Sequence, residues 1–115
     1  MPVDSALSMA QVLEMLGYET RTVHDGLEAV QAADAFAPDV VLLDIGLPTI
    51  DGHEAARRIR QIQGGQDMLL VALSGWGQEN DLRKSAAAGF DRHFVKPVDL
   101  NVLMDVVALA RRPPP

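Results

Sequence analysis

Residues 40 to 43, VVLL, form an uninterrupted apolar run of strand length that stops on Asp44. A strand with one wet face alternates apolar and polar residues, so an unbroken run requires cover on both faces. MLLVAL (68 to 73) repeats the pattern and ends on Ser74, and RHFV (92 to 95) is a shorter third strand ending on Lys96. Segments of helical period lie between these runs. Met9, Val12, Leu13 and Leu16 mark a helix over 5–16 that stops at Gly17; Leu27, Val30, Ala33 and Phe36 mark a second, ahead of Pro38. A third follows Asp51-Gly52 with Ala55, Ile59 and Ile62 inward and Arg57, Arg58 and Arg60 on a solvated face. A fourth spans 79–88, and Leu100, Leu103, Met104 and Val107 mark a last one over 99–111. YETRTVH (18 to 24) is polar for a strand and is expected at a sheet edge. Alternating helices and strands define an α/β fold, a doubly wound parallel sheet with helices on both faces.

The 115 residues, 48% of them hydrophobic, suffice for one core, and the chain is expected to be a single domain with its core at about 3–111 and a tail at 112–115. Its net charge of -6 disfavours nucleic-acid partners, which select clustered Lys and Arg. With no cysteine, disulfides, thiolate metal sites and thiol catalysis are excluded. The apolar runs are too short to cross a membrane and the first residues lack the form of a signal peptide. A cytoplasmic protein with no membrane partner is the expectation.

Ligands of such sheets bind beyond the carboxyl ends of the strands, and there the sequence places Asp44, Ser74 and Lys96. Taken singly, an Asp after a strand is more often a cap or turn residue, and Ser and Lys-Pro are unremarkable. Together they make a carboxylate able to accept a phosphoryl group, an ammonium to neutralise its oxygens and a hydroxyl to hydrogen-bond one of them. At about 4 Å and an effective dielectric of about 20, the Lys attraction for one phosphoryl charge is on the order of 4 kcal/mol. His24, His53 and His93 have no common metal-site spacing and are assigned to surface or turn positions; Asp51 is assigned to a helix start.

The segments GYETRTVHDGLEAV, PDVVLLDIGLPTIDGHEAARRIR, VALSGWG and AAAGFDRHFVKPVD, with their spacing, resemble the receiver domain of two-component response regulators over nearly the whole chain. The resemblance implies a flavodoxin-like sheet of order 2-1-3-4-5 and a phosphoacceptor, Asp44, served by the histidine of a kinase or phosphotransfer protein. It implies that Ser74 and Lys96 contact the phosphoryl oxygens, that Ser74 and Phe94 form the switch, and that the Lys96-Pro97 bond is cis. It also implies a Mg²⁺ held by Asp44 and the backbone carbonyl of Gly46. Trp76, the sole tryptophan, would report on the site.

One departure stands out. Receivers begin with an apolar strand ending in two acidic residues that help hold the metal, whereas this chain begins MPVDSALSMAQVLEML. It is expected to be N-terminally truncated, without the first, central strand and without the acidic pair, for which Asp4 is not an equivalent. A weak or lost Mg²⁺ site and poor self-phosphorylation from acetyl phosphate follow. The protein is expected not to be an enzyme. The lost strand would lie between YETRTV and VVLL, so either these pair directly or two copies assemble through exposed strand edges, the second being favoured. The leading function is a phosphoacceptor that switches protein-protein contacts; the alternative is a phosphorylation-deficient binding or dimerisation module. A small flavin protein of similar topology is disfavoured, because no Ser/Thr/Gly-rich phosphate loop follows a first strand.

Overall fold

The computed structural model describes residues 2, 3, 6–46, 49–75, 79–96 and 98–110. Three parallel strands carry the centre: β2 (Val40–Asp44), β3 (Leu69–Ser74) and β4 (Arg92–Val95), in the order β2-β3-β4. A short β1 (Pro2–Val3) pairs antiparallel with β5 (Val98–Asp99). The helices are α1 (Ala6–Met15), α2 (Gly26–Phe36), α3 (Gly52–Gln61), α4 (Glu79–Ala88) and α5 (Leu100–Ala110).

Alternation along the strands builds two cores. Leu43, Leu70 and Ala72 face Ala29 and Ala33 of α2, Ala55, Ala56 and Ile59 of α3, and Ala88 of α4. Val71 and Leu73 face the other way, onto Met9 and Leu13 of α1 and Leu103, Val106 and Val107 of α5. The sheet is thus covered on both faces, which is what the unbroken apolar runs require.

Helix starts follow local chemistry. The Asp25 and Asp51 carboxylates cap α2 and α3, accepting from the Glu28 and Glu54 amides at 2.8 and 2.9 Å. α2 ends on Ala37, left-handed with φ 50°, ahead of Pro38. Gly17 (φ 94°) terminates α1, its neighbour Tyr18 donating back to the Leu13 carbonyl at 3.0 Å.

Three expectations are corrected. Segment 18–24 is not a strand: among the described residues it forms no ladder with β2 or with any other strand. A polar segment acquires strand geometry only when an adjacent edge supplies hydrogen-bond partners, and here an open slot separates it from β2. Arg60 is not on a solvated face: its side chain is 14% exposed and its guanidinium donates to the carbonyls of Gly65, Met68 and Gly89 and to the Asp91 carboxylate, at 2.6 to 2.9 Å. Only Arg57 and Arg58 are solvated, and they pair with Glu54. Hydrogen bonds from Arg58, then Arg57, hold the Glu54 carboxyl below its ordinary range. The third correction concerns His93, described with the site.

Candidate functional site

Strand register brings the three sequence-predicted side chains to one edge. Asp44 ends β2 opposite Leu73, Ser74 stands one residue further on β3 opposite Val95, and Lys96 follows Val95 on β4. Main-chain bonds fix the stagger, from the Ile45 amide to the Leu73 carbonyl at 2.9 Å and from the Lys96 amide to the Ser74 carbonyl at 2.8 Å.

Asp44 is half-buried and held at both oxygens. Oδ1 accepts from the Gly46 amide at 2.9 Å, and Oδ2 accepts from Lys96 Nζ. The charge that would be costly alone at a buried strand end is therefore paired. The loop beyond Asp44 returns at Gly52, whose amide donates to the Ile45 carbonyl at 3.0 Å. A Cβ at Gly52 would come within 2.8 Å of the Asp44 carbonyl oxygen, so only glycine lets α3 begin this close to the carboxylate.

Ser74 is buried, and its hydroxyl is 2.8 Å from His93 Nε2. His93 Nδ1 is 2.8 Å from the hydroxyl of Ser85, a residue of α4 that is 1% exposed. His93 therefore bridges the strand end to α4 inside the protein and is not a surface or turn residue. The resemblance implied that Phe94 forms the switch together with Ser74. The structure places Phe94 on the opposite sheet face, packed against the cluster of α1 and α5, because neighbouring strand residues point to opposite faces. What could have found His93 is parity: opposite Ala72, it shares the face of Ser74.

The buried Ser85 hydroxyl holds a part-buried imidazole nitrogen, so Ser85→Ala leaves that nitrogen without this partner. The expected cost is about 1 to 2 kcal/mol, a fall in melting temperature of at least about 4 °C, to be read by thermal unfolding followed by circular dichroism. An unchanged transition would show that Ser85 does not hold the ring.

Asp4, Trp76 and the Lys96-Pro97 bond involve residues outside those described. Among the described residues, no three His, Cys, Asp or Glu side chains stand together as a metal centre. A Mg²⁺ would have the single Asp44 carboxylate, already engaged by Lys96 and Gly46, together with the Gly46 carbonyl. Among the described residues that is one carboxylate and one carbonyl, the lower end of the one or two carboxylates that Mg²⁺ takes beside waters and phosphate. The described residues thus bring together a carboxylate, an ammonium and a hydroxyl at one sheet edge.

Comparison with known proteins agrees with this geometry. The family model described as "Response regulator receiver domain" matches residues 3–108. The sensor histidine kinase RcsC of Salmonella typhimurium is 32% identical over 108 residues, covering 94% of this chain and 11% of the kinase. The sporulation initiation phosphotransferase F of Bacillus subtilis is 30% identical over 97 residues, covering 84% of this chain and 77% of that protein. Among solved structures, the receiver domain of the Pseudomonas aeruginosa sensor histidine kinase PA1611, with a magnesium ion coordinated in its active-site cleft, superposes with a TM-score of 0.78 at 29% identity, covering 93% of this chain and 91% of that one. The chain thus spans about a tenth of the kinase it resembles.

Proposed function

The chain belongs to the response regulator receiver domain family, and from that premise we propose that Asp44 takes a phosphoryl group from the phosphohistidine of a histidine kinase or phosphotransfer protein. The observation that carries this reading is the Lys96 ammonium on Asp44 Oδ2 beside a buried Ser74. In the transfer, a carboxylate oxygen of Asp44 forms the new O–P bond while the donor's P–N bond breaks and its electron pair returns to the imidazole. Lys96 neutralises charge on the transferring group, and the Ser74 hydroxyl donates to one of its oxygens. The product is an acyl phosphate; the protein is an acceptor rather than an enzyme with turnover, working in the cytoplasm.

Phosphorylation recruits Lys96 and Ser74 to new oxygens. The Ser74–His93–Ser85 chain makes α4 the element that senses this and changes the surface offered to a partner. The test is incubation with a phosphorylated histidine phosphotransfer protein, followed by intact-mass measurement and peptide mapping. Addition of one hydroxylamine-labile phosphoryl group at Asp44 is expected, with little addition from acetyl phosphate and Mg²⁺. No addition, or addition elsewhere, overturns the reading and favours the phosphorylation-deficient binding module, the second reading, which a metal donor set of one described carboxylate favours.

A further inference from the structure

Behind the strand ends, a chain of side chains alternates hydroxyl and imidazole. The Ser74 hydroxyl meets His93 Nε2 at 2.8 Å, His93 Nδ1 meets the Ser85 hydroxyl at 2.8 Å, and His53 Nε2 lies 3.5 Å from that same hydroxyl. We propose that His93 is a positioning residue for phosphoryl transfer, holding the Ser74 hydroxyl with its proton turned from the ring toward the phosphoryl oxygens. This rests on Asp44 being the acceptor.

Proton count carries the argument. A serine hydroxyl has one proton and two lone pairs, and a neutral imidazole carries a proton on one nitrogen only. The two short contacts of His93 are therefore polarised together. A proton on Nε2 makes Ser74 the acceptor there and Ser85 the donor at Nδ1, whereas a proton on Nδ1 reverses both. In the first order the Ser74 proton is not spent on the ring and can go to a phosphoryl oxygen. In the second the ring draws that proton away. A phosphoryl group at the strand end selects the first order, because its negative charge strengthens a donor aimed at it and the chain behind that donor polarises with it.

The surroundings hold the ring in place for this role. Ser74 and Ser85 are both buried, and the β3-β4 register sets His93 opposite Ala72 on the face of Ser74. His53 is the second residue of α3, the helix that begins at Gly52 against the Asp44 main chain, and its ring lies edge-to-face with Phe90 at 6.3 Å between centroids. The chain thus runs from the end of β3 through β4 and α4 toward the start of α3, both of whose ends border the carboxylate. Burying an imidazole costs free energy unless its nitrogens are bonded. Among the described residues no fully buried side-chain nitrogen or oxygen lacks a partner, whereas an apolar side chain would fill this space without the cost.

The test separates the two nitrogens. An asparagine amide ends about where Nδ1 stands and keeps a partner for Ser85, while a glutamine amide reaches about as far as Nε2 and keeps an N–H for Ser74. Initial rates of transfer to the whole chain from a phosphorylated histidine phosphotransfer protein are read by intact mass, at a temperature where circular dichroism shows every variant folded. His93→Asn should slow transfer at least about fivefold, and His93→Gln should keep at least about half the parent rate. In a Ser74→Ala background, with no hydroxyl to position, His93→Asn should change the rate by less than about twofold. Equal rates for asparagine and glutamine overturn the proposal. So does a loss that persists without Ser74, which is what a purely structural ring would give. His93→Leu, which also offers Ser74 no donor, replaces asparagine should that variant fail to fold. A parent chain that accepts no phosphoryl group on Asp44 removes the acceptor reading and this inference with it; a parent that accepts one while the variants behave alike removes this inference alone.

Discussion

Replacing Arg60 by methionine is expected to destabilise the protein by about 2 to 4 kcal/mol, because several part-buried carbonyls lose a charged hydrogen-bond donor at once. Methionine preserves the length and apolar stem of the side chain but removes every donor. Three carbonyls, those of Gly65, Met68 and Gly89, then lose hydrogen bonds at once, and the Asp91 carboxylate loses its cation. Asp91 is also bound to β3, accepting from the Leu70 amide at 2.9 Å through the oxygen that Arg60 holds. The guanidinium therefore ties the end of α3 to the loops that enter β3 and β4. Because a domain of this size is stable by only about 5 to 15 kcal/mol, the loss is a large fraction of the whole. Chemical denaturation by urea measures it, and a change below about 1 kcal/mol would show that solvent replaces these bonds. Arg60→Lys should recover less than half, since one ammonium cannot reproduce a planar fork that reaches three carbonyls and a carboxylate.

Arg60 also shows where the sequence is hard to read. Arg57, Arg58 and Arg60 look alike as a charged cluster, yet only Arg60 lies four residues after Ala56, which is fully buried. That phase, with glycines at 65 and 89 leaving carbonyls accessible, was the available signal. The helices and the strands β2, β3 and β4 were legible within a residue or two, because period and caps are local properties. Segment 18–24 was not, because a strand is defined by its neighbour and no local pattern reports that neighbour's absence. The same limit applies to the site. Asp44, Ser74 and Lys96 could be found from the ends of apolar runs, whereas His93 required the β3-β4 register that sets it beside Ser74.

Lys96→Met is expected to slow phosphoryl transfer to Asp44 about 10²- to 10³-fold, the usual cost of removing one preorganised group that faces developing charge. Asp44→Asn should abolish transfer, since an amide has no carboxylate oxygen to form the acyl phosphate. The two variants should differ sharply in how function and stability move. The side chains of Lys96 and Asp44 are 25% and 38% exposed, so their pair is screened and breaking it should cost no more than about 1 kcal/mol of folding stability. A large rate loss with a nearly unchanged melting temperature would assign Lys96 to the transferring group. A rate within about threefold of the parent would remove it from that role, because an ammonium near phosphoryl oxygens is worth several kcal/mol in a partly desolvated site. Lys96→Arg separates charge from placement. It retains the positive charge, but its planar fork cannot occupy the point on Asp44 Oδ2 that Nζ occupies. Its rate should fall between those of the parent and Lys96→Met, and equality with the parent would mean that charge alone, without the strand-end geometry set by β4, is sufficient.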